Sequence, residues 1–337
     1  MVFQHSSTRS RTAAAAVLAL AAGLLAACSP TSSTPSGDDS GGASAGPIAP
    51  ATVNVAVLPT ANMAPLYLGQ QQGYFSDENI TLNITTVGGG ADEIAGLQAG
   101  SFDFIAVGYV PLFAAAAQGL PVALFLANDA GGSTKDDDWQ VVVAGKDSSI
   151  QGPQDLAGKT IGVNALNGVA QATTLASLED EGVDTSGIKF VEVPFPQVPA
   201  AVDNGTIDAG FATEPFVTQT LDNGGRVVDN PSLTLGTHFP NGAWATSSDI
   251  AKNKADVLAA FTRAMTKSLD YAQANGQAVR DIIPTYTSIK ADLAAKIRLP
   301  YFTSELDRTA LQKLADLSVK YGAVASPVDL DALIVGQ

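Results

Sequence analysis

The chain has 337 residues, of which 46% are hydrophobic, and it carries 33 acidic residues against 18 basic ones. That length can bury a sizeable core and favours two domains. A net charge of −15 without a cluster of Lys and Arg argues against a nucleic-acid partner, because phosphate binding depends on clustered cations. A single cysteine excludes a disulfide framework, a thiolate zinc site and a CxxC redox pair. We expect neither a metal nor a cofactor.

The N-terminus has the pattern of a targeting segment. Arg9 and Arg11 precede an apolar run over 13–27, which has the length of a signal-peptide core and is short for a membrane span. The run ends in Leu25-Ala26-Ala27-Cys28, which resembles the bacterial lipobox. We therefore predict a lipoprotein signal peptide over 1–27 and lipidation of Cys28. The alternative is a signal peptide cut elsewhere, with an incidental free cysteine.

Residues 28–51 are rich in Ser, Thr, Pro and Gly and contain few side chains that could be buried. This composition is typical of a flexible tether. A lipid, a tether and a globular body predict a protein anchored on the outer face of the cell membrane. No later stretch is long and apolar enough to span a bilayer, so anything that crosses the membrane belongs to a partner.

The following residues alternate between β-branched runs and helical patterns that end at Gly, which predicts βα units and a mostly parallel sheet. The first predicted lobe comprises strands over 53–58, 81–87, 103–107 and 122–127 and helices over 63–72, 91–99 and 112–118. A second series has strands over 141–144, 160–163, 188–193 and 207–212 and helices over 168–181 and 198–204. A glycine that ends a helix, a strand and a proline that begins the next helix follow one another at 100–111 and again at 205–215, which is a weak indication of an internal repeat. Helices over 254–274 and 304–321 and a short one after Ser326-Pro327 complete the chain.

Three segments resemble a known family. Ala64-Pro65-Leu66-Tyr67-Leu68-Gly69 with Gly73-Tyr74-Phe75, and 97–104 (LQAGSFDF), are similar to segments of the nitrate, taurine, alkanesulfonate and thiamine-pyrimidine binding proteins. Residues 155–163 (DLAGKTIGV) are similar to the opening of the second lobe in type II binding proteins. The chain thus resembles the substrate-binding lipoproteins of bacterial ABC importers over about residues 52–290.

The resemblance implies an α/β type II periplasmic-binding-protein fold with two lobes joined by a two-strand hinge. We expect the crossing strands near 139–144 and 242–247, lobe 1 at 52–142 plus 246–337, and lobe 2 at 143–245. It also implies a monomer that captures a small organic ligand between the lobes, closes about the hinge, and delivers the ligand to ABC permease and ATPase subunits. The ligand class would be sulfonate, nitrate or thiamine-pyrimidine.

Ligands of open α/β sheets bind beyond the carboxyl ends of the strands, so the loops after the strands are the candidate site. The predicted ligand-binding residues are Thr60, Asn62, Gly89, Gly90, Gly108, Tyr109, Asp129, Asn164, Asn167, Gly168, Glu214 and Trp244. Six residues lie near predicted crossings or lobe edges, where aromatic rings could stack on a ligand ring, although packing explains each one singly better; they are Asp129, Trp139, Phe195, His238, Phe239 and Trp244.

Several of these residues have an equally simple structural explanation. The Gly88–Gly90 run either lets backbone amides approach a ligand or forms a plain tight turn. Asn164, Asn167 and Gly168 precede a helix, so they either cap it, contact ligand, or do both. Glu214 lies in a segment similar to the family's Glu-Pro-aromatic motif, and it either accepts from an amine or charges the first turn of a helix.

Arginine is absent between Arg11 and Arg226, which we take to exclude arginine binding of an oxyanion by lobe 1. This favours a neutral, aromatic or amine-bearing ligand, while the family's anion binders leave an anion open. An enzyme is the rival class, but the chain has no HExxH, GxGxxG or Walker A match, and it lacks the Cys-rich motif of pyrimidine synthases. A ligand-sensing surface receptor is the third possibility.

Overall fold

A computed structural model describes residues 46–336. The predicted signal peptide, Cys28 and all of the tether before residue 46 lie outside the described residues. Within residues 46–336, no helix has the length and apolar character needed to cross a bilayer. The same residues contain no group of three or more His, Cys, Asp or Glu side chains placed to hold a metal ion.

Eleven strands are present in the described part of the chain. They are β1 (Ala51–Val57), β2 (Ile80–Thr86), β3 (Phe104–Gly108), β4 (Val122–Ala130), β5 (Gln140–Ala144), β6 (Thr160–Val163), β7 (Lys189–Glu192), β8 (Ala209–Thr213), β9 (Arg226–Asp229), β10 (Pro240–Ser247) and β11 (Tyr301–Phe302). They form two sheets with the orders β11-β4-β10-β3-β1-β2 and β7-β6-β8-β5-β9. In each sheet one strand pairs in parallel with two others, β1 with β2 and β3, and β6 with β7 and β8. The predicted two-lobed α/β class is confirmed.

Helices cover both sheets. They are α1 (Ala64–Gln71), α2 (Tyr74–Asp77), α3 (Gly90–Gln98), α4 (Tyr109–Ala117), α5 (Val169–Asp180), α6 (Val198–Asp203), α7 (Phe216–Asp222), α8 (Pro231–Leu235), α9 (Ser248–Asn253), α10 (Ala255–Ala274), α11 (Gly276–Ile282), α12 (Ala291–Ala294), α13 (Arg308–Lys320) and α14 (Leu330–Leu333). Gly73 after α1 and Gly182 after α5 adopt φ of 82° and 77°, the left-handed conformation that ends a helix at little cost for glycine.

The first sheet has a hydrophobic core on each face. On one face Phe104, Phe125 and Trp244 surround Phe261 of α10, with ring centroids 4.6 to 6.1 Å from it. The other face packs α4 and α13, including Phe113 and Leu314, against the sheet. Burial of each such aromatic side chain contributes roughly 1.5–3 kcal/mol, so these clusters give the lobe a rigid frame for the loops at its edge.

The two lobes are joined by the segments 131–139 and 230–239, which contact each other. The amide of Gly131 donates to the carbonyl of Phe239 at 3.0 Å, and Asp138 accepts from the Gly132 amide at 3.1 Å and from Asn230 Nδ2 at 3.3 Å. The strands next to these segments belong to one sheet each, because β5 pairs with β8 and β9, and β10 pairs with β3 and β4. This differs from the predicted lobe boundaries, since residues 140–142 lie in the second sheet and residues 240–245 lie in the first.

Most element positions agree with the predictions to within a few residues. Helix α4 begins at Tyr109, before the predicted start, because Pro111 is tolerated in the first turn of a helix. The elements not predicted are short, namely α2, α8, α9, α11, α12, β9 and β11. Short elements give weak periodic patterns, and their ends are set by tertiary contacts.

Candidate functional site

A cleft of about 90 Å³ lies between the two lobes, at the edge where the strands of both sheets end. Its walls come from loops and helix starts of both lobes, as expected for an open α/β sheet. The lining residues are Leu58, Thr60, Asn62, Met63, Gly90, Glu93, Ala106, Gly108, Pro111, Trp139, Gln140, Asn164, Ala165, Gly168, Val169, Ala170, Phe195, Phe211, Thr213 and Asn241. This space is smaller than the apolar cavity of about 150 Å³ that holds benzene, so in this arrangement it has room only for a compact solute.

Six of the predicted ligand-binding residues line this cleft, and the structure brings them together from both lobes. They are Thr60, Asn62, Gly90, Gly108, Asn164 and Gly168. At Gly108 the lobes approach closely, because a Cβ there would lie 3.1 Å from Val169 Cγ2 of the opposite lobe. Gly89 is the residue before α3 and adjoins the cleft, with no atom within 4 Å of where its Cβ would lie.

Asp129 lies behind the cleft wall and orients the amides that form it. Its carboxylate accepts from Asn62 Nδ2 at 2.8 Å, from Asn128 Nδ2 at 2.8 Å and from Asn241 Nδ2 at 2.7 Å. Thr60 Oγ1 in turn donates to Asn62 Oδ1 at 2.6 Å. Burial raises the pKa of Asp129, and the three amide donors oppose that rise. Asp129 therefore acts on the cleft through Asn62 and Asn241.

Trp244 and Tyr109 lie in the cores rather than in the cleft lining. Trp244 is fully buried against Phe261, and its Nε1 donates to Asn128 Oδ1 at 2.8 Å. Tyr109 is 1% exposed and packs on Phe113. Tyr109 was predicted because it follows the third predicted strand, and Trp244 because it lies near a predicted crossing strand. The first turn of α4 and the alternation of β10 direct their rings into the protein instead.

Glu214 does not line the cleft, and its carboxylate is fully engaged at the junction of the lobes. The amide and hydroxyl of Thr218 in α7 donate to it at 3.0 and 2.8 Å, and the amide of Arg298 donates at 3.0 Å. The Glu214 carbonyl also accepts from the Ala61 amide at 3.0 Å. Glu214 thus caps the first turn of α7 and connects lobe 2 to two segments of lobe 1.

The remaining predicted residues divide between the cleft and other places. Trp139 and Phe195 line the cleft. Asn167 has φ of 55° and donates its amide to Gln171 Oε1, as a residue in the turn before α5. His238 stacks on Tyr301 with ring centroids 3.7 Å apart, and Phe239 is buried in the core beneath α13.

Glu93, which the sequence patterns did not single out, lines the cleft and is 0% exposed. Among the described residues, neither of its carboxylate oxygens has a hydrogen-bond partner. Burial, with a smaller contribution from the charge of Asp92, raises the pKa of Glu93 well above its ordinary value. Its position in the first turn of α3 after the Gly run was the available signal, but that segment was interpreted through its glycines alone. Gln140, Phe211, Thr213 and Asn241 were also missed.

The arginines correct one prediction. Four of the five in residues 46–336 lie in the C-terminal part of lobe 1, so that lobe is not free of arginine. All five bond to protein groups, namely Arg226 to the carbonyls of Lys146, Ser148 and Ile150, Arg263 to Glu78, Arg280 to the carbonyls of Gly276 and Ile297, Arg298 to the Asp138 carbonyl, and Arg308 to Asp331. Within the described residues the cleft lining contains no Arg, Lys or His.

Comparisons with known proteins agree with this architecture. The NMT1/THI5-like family matches residues 60–278. The taurine-binding periplasmic protein of Escherichia coli is 26% identical over 213 residues, which is 63% of this chain and 64% of that protein. A 4-amino-5-hydroxymethyl-2-methylpyrimidine phosphate synthase of Legionella pneumophila is 32% identical over 161 residues, 47% of this chain and 48% of that protein.

Among solved structures, the alkanesulfonate-binding protein SsuA of Xanthomonas axonopodis bound to MOPS superposes with a TM-score of 0.71 and 17% identity. That match covers 85% of this chain and 98% of the other. The two-lobed arrangement described above is therefore the fold of the periplasmic binding proteins, and the chain belongs to the NMT1/THI5-like family.

Proposed function

We propose that this protein is the extracytoplasmic solute-binding subunit of an ABC importer. The observation that carries the proposal is the cleft, whose lining comes from both lobes while, within residues 46–336, two segments join them. A solute that contacts both walls stabilises the closed arrangement over the open one, because its contacts with the two lobes are made together only when they are near each other. A closed, loaded form is a shape that a permease can distinguish from the empty one.

The solute classes are suggested by the relatives, whose names include a taurine-binding and a putative aliphatic sulfonates-binding protein. Two features of the cleft suit a solute with an anionic group and an apolar part. Helices α3 and α5 begin at its walls from opposite lobes, and helix N-termini favour negative charge. Trp139, Phe195 and Phe211 supply apolar and aromatic surface.

The two tryptophans of the chain provide a test. Trp139 lines the cleft, whereas Trp244 lies in the core of lobe 1. Titration of the purified full chain with taurine, alkanesulfonates, nitrate and aminopyrimidines should change the Trp139 fluorescence for at least one compound. A compound present at about 100 times its Kd should also stabilise the protein by about 2.7 kcal/mol.

Two single-tryptophan variants locate the signal. Trp244→Phe should retain the fluorescence response because Trp139 remains, and Trp139→Phe should lose it. If no compound changes either fluorescence or thermal stability, the binding-protein assignment is refuted. A response that survives Trp139→Phe and disappears in Trp244→Phe would place the solute away from this cleft.

We also propose that the protein is a monomer anchored by lipid on Cys28 and that it binds solute without turning it over. The lipobox resemblance supports the anchor, and the absence of any Cys other than Cys28 argues against the Cys-rich chemistry of a pyrimidine synthase. Cys28→Ala should move the protein from the membrane to the soluble fraction. An unchanged membrane fraction, or loss of the aminopyrimidine with formation of a product, would contradict these assignments. Failure to stimulate solute uptake in the presence of its permease would favour a sensing receptor.

A further inference from the structure

We propose that Glu93 is the ligand-recognition residue for a cationic nitrogen, so that the solute carries a protonated amine or amidine. The inference rests on the proposed binding function and names the chemical class that this cleft selects. Its geometric basis is a carboxylate that lines the cleft, is 0% exposed and has no hydrogen-bond partner among the described residues. Buried carboxylates are normally paired, because leaving one unpaired costs free energy.

The Glu93 carboxylate does not cap the N-terminus of α3, so helix capping does not explain why an acid lies there. In the first turn of α3, the other acid, Asp92, accepts through Oδ2 from the amide of Gly88, two residues before the helix, at 3.2 Å. Asp92 is exposed, whereas Glu93 is buried. The start of the helix is also packed in place, because a Cβ on Gly90 would lie 3.3 Å from Pro111 Cγ. Glu93 is thus retained in the wall of the cleft without a structural partner.

The charge of the cleft favours the same class of ligand. Within residues 46–336, Glu93 is the single ionisable side chain in the lining. Of the nearby amides, Asn62 and Asn241 each give one N–H to Asp129 rather than to the cleft. A solute ammonium or amidinium would restore an opposite charge and hydrogen-bond donors to Glu93. Charge-assisted hydrogen bonds of this kind are stronger than neutral ones.

An anionic group on the same solute is compatible with this arrangement. The N-termini of α3 and α5 lie on the opposing walls and favour partial negative charge. A simple anion such as nitrate or an amine-free sulfonate offers Glu93 no cationic donor, so it lacks the charge-assisted hydrogen bonds that an ammonium or amidinium would form. We therefore expect the protonated nitrogen to decide which solutes bind tightly in this cleft.

Matched solutes test the proposal by calorimetric titration of the full chain. Taurine is paired with isethionate, which has a hydroxyl in place of the ammonium. 4-Amino-5-hydroxymethyl-2-methylpyrimidine is paired with its 4-oxo analogue. In at least one pair, we expect the amine to bind more tightly than its partner, by on the order of 30-fold or more.

The variants are Glu93→Gln, which removes the charge at constant size, Glu93→Asp, which keeps the charge, and Asp92→Asn as the exposed neighbouring control. Glu93→Gln should weaken amine binding by on the order of 30-fold and remove the preference within the pair. Glu93→Asp should recover part of the affinity, and Asp92→Asn should change Kd by less than about threefold. Empty Glu93→Gln should unfold at the same temperature as the wild type or higher, because no buried bond is lost.

Amine-free compounds that bind as tightly as their partners, with Glu93→Gln unchanged, would overturn the role of Glu93 and leave solute binding standing. A Glu93→Gln protein that unfolds earlier and loses all compounds equally would assign Glu93 a structural role, which also overturns the proposal. No binding of any compound by the wild type refutes the binding function itself.

Discussion

Asp229, at the end of β9, should lower the stability of the protein at neutral pH. Its Oδ1 accepts from Ser177 Oγ at 3.0 Å and from the Asn230 amide at 2.8 Å, whereas its Oδ2 has no partner among the described residues. Burial, with a smaller contribution from Glu181, raises the pKa of Asp229 from 3.8 to about 6. A carboxyl whose pKa is higher in the folded than in the unfolded state costs stability once the pH exceeds the unfolded value.

The size of the effect follows from this shift. Between pH 4 and pH 6 the unfolded chain releases the Asp229 proton while the folded chain retains it, so the free energy of unfolding falls as the pH rises. The total loss is about 3 kcal/mol and is complete above pH 6. Asp229→Asn keeps an acceptor for Ser177 and cannot ionise. We therefore expect this variant to be more stable than the wild type at pH 7.5, by up to about 3 kcal/mol, and equal to it near pH 4.

Urea denaturation followed by circular dichroism at pH 4, 5, 6 and 7.5 measures the free energy of unfolding directly. Asp180→Asn, on the exposed surface of α5, is the matched control, and its stability difference from the wild type should not vary with pH in this way. A difference between Asp229→Asn and the wild type that stays constant from pH 4 to pH 7.5, or that favours the wild type at neutral pH, would refute the reasoning.

Three further substitutions test the frame and the cleft. Arg263→Ala should destabilise the protein by about 1.5–3 kcal/mol at pH 7, because Arg263 Nε donates to nearly buried Glu78 at 3.0 Å. The hydrogen bond from Arg263 lowers the Glu78 pKa, so the loss of stability measured by urea denaturation should shrink as acid protonates Glu78. A loss of stability that is independent of pH would contradict this. Gly242→Ala should weaken solute binding in calorimetry by about tenfold or more, since its Cβ would lie 2.7 Å from Asp129 Oδ2 and displace the carboxylate that orients the cleft amides. Gly89→Ala is the matched control, because no atom lies within 4 Å of the added Cβ and Gly89 has no positive φ. It should leave solute binding and stability nearly unchanged. Equal effects of the two glycine substitutions would refute the role given to Asp129.

Local patterns predicted much of the fold because their signals act over a few residues. The strand over 160–163 and the helix over 168–181 follow from a β-branched run and from a helical run closed by Gly182, and both are present within one residue of the predicted bounds. The glycines and asparagines after strands were candidate cleft residues because the carboxyl ends of parallel strands share one edge. Six of the twelve predicted ligand-binding residues line the cleft, and five of the six are such glycines or asparagines.

The errors concern properties that depend on the surroundings of a side chain. Trp244 and Glu214 have the residue types of a ligand site, but the pleat of β10 directs one into the core and the first turn of α7 engages the other. Glu93 has the residue type of an ordinary helix-start acid, and only the packing of α3 beside the cleft leaves it buried and unpaired. Sheet membership of 140–142 and 240–245 likewise depends on strand pairing across the chain.

The sequence alone therefore determined the α/β class, the order of the elements and the family resemblance, because each depends on residue patterns along short stretches of chain. It also set the acidic charge and the position of the single cysteine. Only the tertiary structure decided which carboxylates are buried with partners and which are left without, as at Glu214 and Glu93. Burial and pairing are made by residues distant in sequence, so the electrostatic character of the cleft appears only when both lobes are in place.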